Sequence, residues 1–158
     1  RRQRQMCIRD RSKEISRLIG RSLRAVCNLG IINGYSFTVD CDVLEADGGT
    51  RTASINGAWI ALNDTFTKMV NENKLVQNPF TCKVGAISVG IVGGELVADL
   101  DYAKDSNAEV DLNLVLDEKF EILEIQGTAE GKPFSKDSLD SLFNIAKECV
   151  QEIFKIQN

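Results

Sequence analysis

Two apolar runs, Ala86 to Val92 and Leu96 to Leu100, meet at Gly93-Gly94, and this junction constrains the fold more than any other feature of the chain. A two-residue glycine connection suits the tight primed turns of a hairpin, so the two runs must lie side by side and antiparallel. Val110, Leu112, Leu114 and Leu116 alternate with Asp111, Asn113 and Asp117, which adds a strand, and Phe120 to Gln126 supplies another after a short charged turn. A sheet therefore occupies the second half of the chain.

Helical spacing flanks it on both sides. Ile15, Leu18, Ile19, Leu23 and Val26 recur at helical intervals from Ser12, read as the cap, and Arg17, Arg21 and Arg24 fall on the opposite side of that helix. A second helix opens at Asp47-Gly48-Gly49-Thr50-Arg51-Thr52 and carries Ile55, Ala58, Trp59, Leu62, Phe66 and Met69 on a broad apolar face. Ser135 starts a third, with Leu139, Leu142, Phe143, Ala146, Val150, Ile153 and Phe154 on its core side. Between the first two helices, after the Asn33-Gly34 turn, Tyr35, Phe37, Val39, Cys41 and Val43 alternate with polar residues as in a half-buried strand. Helices and strands are mixed without strict alternation, so the spacing predicts one α+β domain with a mixed sheet.

Several chemistries are excluded. The 158 residues contain no histidine, which removes His-based triads, His-metal sites and imidazole acid-base pairs. Five widely spaced cysteines form no C-x-x-C pair and read as reduced thiols. No apolar run approaches a membrane span or a secretory signal, so a soluble, cytoplasmic protein is expected. The net charge of −4 is unevenly spread: residues 1–24 hold nine Arg and Lys against Asp10 and Glu14, a balance of +7, which leaves −11 for the rest. A basic end suited to phosphates thus precedes an acidic remainder suited to a divalent cation.

Three local patterns carry candidate chemistry. At Gly48-Gly49-Thr50-Arg51 the glycines allow close backbone approach, free amides at a helix start point at an anion, and arginine presents a fork matched to phosphate oxygens. The same residues would equally make an ordinary turn and cap with Arg51 in solvent. Asp99, Asp101, Asp105, Glu109 and Asp111 bring carboxylates together in sequence, as a Mg²⁺ or Mn²⁺ site needs and as solvated loops also show. The stripe Arg17, Arg21 and Arg24 lies upstream of the glycine loop and would extend its positive field, or simply face water or pair with nearby acids.

Linked in order and spacing, these segments resemble ribonuclease PH. The resemblance rests on residues 14–25 (EISRLIGRSLRA), 40–54 (DCDVLEADGGTRTAS), Asp99-Leu100-Asp101-Tyr102 with Asp105-Ser106 and Asp111-Leu112-Asn113, and Gln126-Gly127-Thr128-Ala129-Glu130-Gly131. It implies an α+β fold with a left-handed βαβ crossover and assembly into a hexameric ring, a trimer of dimers. It also implies phosphorolytic 3′ exonuclease activity, with inorganic phosphate as co-substrate and the 3′ ends of precursor tRNA as substrate. Phosphate would be held by Gly49, Thr50 and Arg51, with Arg11 at the position of a further phosphate-binding arginine. Asp105 and Asp111 match the paired aspartates assigned to metal binding and catalysis, and Arg17 and Arg21 would meet RNA. A non-catalytic RNA-binding ring subunit of the exosome type, or an inactive fragment, is the alternative. The resemblance covers residues 11–158. Residues 1–10 match nothing in the family and read as a leader foreign to it, with early strands of the family expected to be missing.

Overall fold

The computed structural model describes residues 2–157 of the chain, with side chains described from residue 11 onward. The expected foreign leader at residues 1–10 therefore lies outside the described side chains. The first helix, α1 (Arg2–Ala25), runs through Ser12, which is interior rather than a cap: Ser16 Oγ donates to the Ser12 carbonyl at 2.8 Å. Neither glycine nor proline occurs before Gly20, so nothing breaks the helix at the expected start. α1 ends at a short tie in which Asn28 N donates to Pro79 O and Thr81 N to Val26 O.

The remaining elements are α2 (Thr50–Asn71), the strands β1 (Val84–Val92) and β2 (Glu95–Ala98), the single turn α3 (Tyr102–Asp105), β3 (Val110–Asp117), β4 (Ile122–Ala129) and α4 (Lys136–Ile156). Ser135 caps α4 as its sequence predicts, accepting from Ser138 N at 3.1 Å.

The four strands lie in the order β2-β1-β3-β4. Every neighbouring pair is antiparallel, in place of the mixed sheet expected from sequence. The reason is connectivity: the Gly93-Gly94 turn reverses β1 into β2, and the short turn before β4 reverses β3. β2 and β3 do run in the same direction, but on opposite sides of β1, with α3 in the link that crosses from the β2 edge over β1 to the interior strand β3.

The sheet is covered on both faces, which explains the nearly continuous apolar run of β1. Val84 and Ala86 of β1 and Val115 of β3 pack under Leu18 and Leu23 of α1 and Ile55, Ala58 and Trp59 of α2. On the other face Ile87, Val89, Leu112, Leu114 and Leu116 meet Leu142, Ala146 and Val150 of α4. The α2 face changes character along its length. Beyond Val84, Ala86 and Val115 it carries Ser88, Gly90, Asp111 and Asn113, with Gln126 and Thr128 beside them on β4. The polar end of this face lies by the start of α2.

The predicted strand at 35–43 forms no ladder. Its alternation was sound, but no strand among the described residues lies beside it to take its backbone groups. It crosses the helices as an irregular segment, with Phe37 set edge-on against Phe66 at 5.2 Å and Tyr35 Oη donating to Lys74 O. Val39 and Val43 are left partly in solvent.

Candidate active site at the start of α2

Two loops press together where the sheet face turns polar. Gly48 has φ 77°, and a Cβ there would stand 2.1 Å from the Leu100 carbonyl oxygen, so only glycine fits. Asp47 Oδ1 accepts from Tyr102 N at 3.1 Å, which fastens the glycine loop to the turn leading into α3. That turn is itself held by β1: Ser88 O accepts from Asp99 N, and Ser88 Oγ from Leu100 N. Asp99 adopts a left-handed conformation, φ 55°, rare for a residue with a side chain.

Gly49, φ 58°, is the N-cap of α2 and supplies no capping side chain. The first-turn amides, at Thr50, Arg51 and Thr52, lie ahead of the intrahelical hydrogen-bond series and are directed at whatever sits before the helix. The Thr52 hydroxyl does not compete for that place, because it donates back to Gly49 O at 2.8 Å. Arg51 leans across the polar sheet face, and its Nη1 donates to Gln126 Oε1 at 3.4 Å.

Asp111 stands on the same face, between Gly90 of β1 and Thr128 of β4, and is half-buried. Burial pushes its carboxyl above the usual value, the negative Asp105 pushes it further, and the Arg51 guanidinium pulls it back. Arg51 and Asp105 therefore both act electrostatically on Asp111.

The wider acidic group does not converge. Asp101 caps α3, accepting from Lys104 N and pairing with Lys104 Nζ at 2.6 Å, contacts that hold its carboxyl below the usual range. Glu109 Oε1 accepts from Gly94 N at the hairpin. Among the described residues no group of three or more acids and cysteines is arranged to hold a metal. What remains is the pair Asp105 and Asp111, whose mutual repulsion a divalent cation would relieve. Two carboxylates are a sufficient protein share for Mg²⁺, which takes its other ligands from water and substrate phosphate.

The arginines of α1 differ in their surroundings. Arg17 lines an open cleft of about 550 Å³ with Lys13, Glu14, Arg21 and Gln126. Arg21 Nη2 pairs with Glu124 of β4 at 2.7 Å, while Arg24 lies back over Gly20. Arg11 is exposed, three residues before Glu14, which accepts from Gln126 Nε2 at 3.0 Å. Sequence reasoning assigned no role to Ser88 or Gln126. A serine inside an otherwise apolar strand was the available sign of the first; the second was visible only as one member of a longer motif.

Residues 1–67 match the first domain of the 3′ exoribonuclease family, and residues 82–149 match its second domain. Ribonuclease PH of Dehalococcoides mccartyi is 52% identical over 151 residues, covering 96% of this chain and 63% of that protein. Among solved structures, rice (Oryza sativa) Rrp46 superimposes with a TM-score of 0.66 at 17% identity, over 93% of this chain and 64% of that one. The Archaeoglobus fulgidus exosome with RNA bound to its active site gives 0.70 at 16% identity, over 94% and 62%. These structural likenesses establish the shared fold. The chain spans just under two thirds of the length of each of these proteins.

Proposed function

Because the chain belongs to the ribonuclease PH family of 3′ exoribonucleases, we propose that it shortens RNA from the 3′ end by phosphorolysis and that the start of α2 is its phosphate site. The observation that carries this reading is the convergence of three features: a glycine-capped helix start, a first-turn guanidinium that reaches across the polar sheet face, and a carboxylate pair in the same field. Phosphorolysis brings an anionic phosphate against an anionic phosphodiester, so the site must first offset their repulsion. The amides of α2 and Arg51 would bind and orient inorganic phosphate, with Arg11 of α1 as a second cation.

A phosphate oxygen then bonds to the phosphorus joining the last nucleotide to its neighbour, and the bond to the neighbour's 3′ oxygen breaks. The last nucleotide leaves as a nucleoside 5′-diphosphate, and the shortened RNA ends in a 3′ hydroxyl. Asp111, whose carboxyl is raised, is suited to hold the proton that the departing oxygen needs. In the alternative division of labour Asp105 and Asp111 are both ionised and would hold Mg²⁺ or Mn²⁺, which when bound supplies positive charge beside the scissile phosphate. Arg17 and Arg21 would meet the RNA backbone along α1. Precursor tRNA as substrate, a hexameric ring and a cytoplasmic setting are part of the same proposal, resting on the resemblance to the family.

Incubating the chain with 3′-extended tRNA and Mg²⁺, with and without phosphate, tests it. Release of nucleoside diphosphates only when phosphate is present is the expected result; monophosphates released without phosphate would mean hydrolysis and overturn the reading. Absence of any release, with RNA still bound, is what a ring subunit that holds RNA without cutting it would give.

A further inference from the structure

Gln126 stands between the guanidinium proposed to hold phosphate and a carboxylate on the basic helix. Its Oε1 accepts from Arg51 Nη1 at 3.4 Å, and its Nε2 donates to Glu14 Oε1 at 3.0 Å. The polarity of this arrangement is fixed at both ends, because guanidinium can only donate and an ionised carboxylate can only accept. A neutral side chain with an acceptor on one branch and a donor on the other meets both demands at once. The strand places it there: β4 pairs Gln126 with Asn113 of β3, and period-two alternation puts it on the same face as Glu124, which α1 engages through Arg21.

We infer that Gln126 is a positioning residue for Arg51, orienting the guanidinium without neutralising it and keeping Glu14 from pairing with it directly. This rests on reading Arg51 as the phosphate ligand. A charge-assisted hydrogen bond narrows the rotamers of a long side chain. An ion pair would narrow them too, but would set a resident carboxylate in competition with the incoming anion. The amide gives the orientation and leaves the positive charge available. It also links the start of α2, through β4, to α1, the helix that carries Arg11 and Arg17.

The test is titration of the chain with inorganic phosphate by calorimetry, alongside thermal melts, for the parent, Arg51→Ala, Gln126→Leu and Gln126→Glu. Phosphate binding should disappear in Arg51→Ala. Gln126→Leu should weaken it about tenfold, the effect of losing one hydrogen bond to a charged group. Gln126→Glu should weaken it further, on the order of a hundredfold, because the new carboxylate occupies Arg51 and repels the anion. All four should melt within a few degrees of one another, since Gln126 is only half-buried. The order of the two Gln126 variants decides the matter. Glutamate is nearly isosteric with glutamine, so a merely structural role predicts that leucine does the greater harm, and that result would overturn the inference. Should Gln126→Leu fail to fold, Gln126→Glu carries the test alone. Loss of binding in Arg51→Ala with parental binding in both Gln126 variants would remove the inference and leave the phosphate site standing. A parent that binds no phosphate, or an Arg51→Ala variant that binds like the parent, would remove both.

Discussion

Asp111 is a single side chain whose half-buried position carries a cost in stability. Its carboxyl is raised by burial and by Asp105, so the folded state favours the protonated form and ionisation costs stability. The sign follows directly. A raised folded-state value means that the full contribution is present below the unfolded value and is lost as pH rises through the folded one. Asp111→Asn should therefore melt a few degrees higher than the parent near pH 7, and the gap should close as the pH falls and the parent's carboxyl takes up its proton. A melting series from neutral to acid pH reads this directly; a gap that widens towards acid would contradict it. The same substitution should lower trimming and its magnesium dependence, since it removes one of the two charges offered to the cation. Arg51→Ala should leave the fold intact and reduce phosphate-dependent diphosphate release by on the order of 10² or more. Near-normal release would remove Arg51 from the site.

At the scale of elements, the site depends on one loop being flattened against another. Gly48 is the point of closest approach, and Gly48→Ala would force its Cβ into the Leu100 carbonyl as well as straining a left-handed backbone. Gly93→Ala meets nothing within 4 Å and carries only the backbone penalty, about 1–2 kcal/mol. Paired melts should show Gly48→Ala to be clearly the worse of the two, with phosphate binding lost only there; equal shifts would mean that the loop contact is not what fixes the site. The same elements show what the sequence could convey. The helix at Thr50, the hairpin at Gly93-Gly94 and the Ser135 cap were legible because each is set by residues a few positions apart. The strand expected at 35–43 was not, because a ladder needs a neighbour that local periodicity cannot supply, and the antiparallel pairing of β1 with β3, where a mixed sheet was expected, was missed for a related reason. The acidic run misled through its spacing alone. Asp101 and Glu109 are taken up by a helix cap and a hairpin amide, roles that appear only once the chain has turned. Gln126 lay in plain view, yet its partners are 75 and 112 residues away.

Over the whole molecule, a net charge of −4 coexists with a first helix rich in arginine, so any contact with RNA must be confined to one side. Phosphate contacts release condensed counterions, and the slope of log affinity against log salt reports how many basic groups take part, roughly 0.7 per phosphate for a single strand. The two candidate arginines should not count equally. Arg17 lines the open cleft beside Gln126, whereas Arg21 is already paired with Glu124 at 2.7 Å and must be shared or released to meet a phosphate. Arg21 is half-exposed but its Glu124 partner is only 23% exposed, so solvent screens the pair only in part, and it subtracts from the field that RNA meets. Arg17→Ala should therefore lower the salt slope by close to one contact, and Arg21→Ala by less. Glu124→Gln should have the opposite effect, tightening RNA binding at low salt while leaving the fold undisturbed. Binding of a 3′-extended tRNA measured across a salt series for the three variants distinguishes the outcomes. Equal slopes for all of them would place the RNA path away from α1, and a weaker Glu124→Gln complex would mean that the Arg21–Glu124 pair positions the arginine for RNA rather than withholding it.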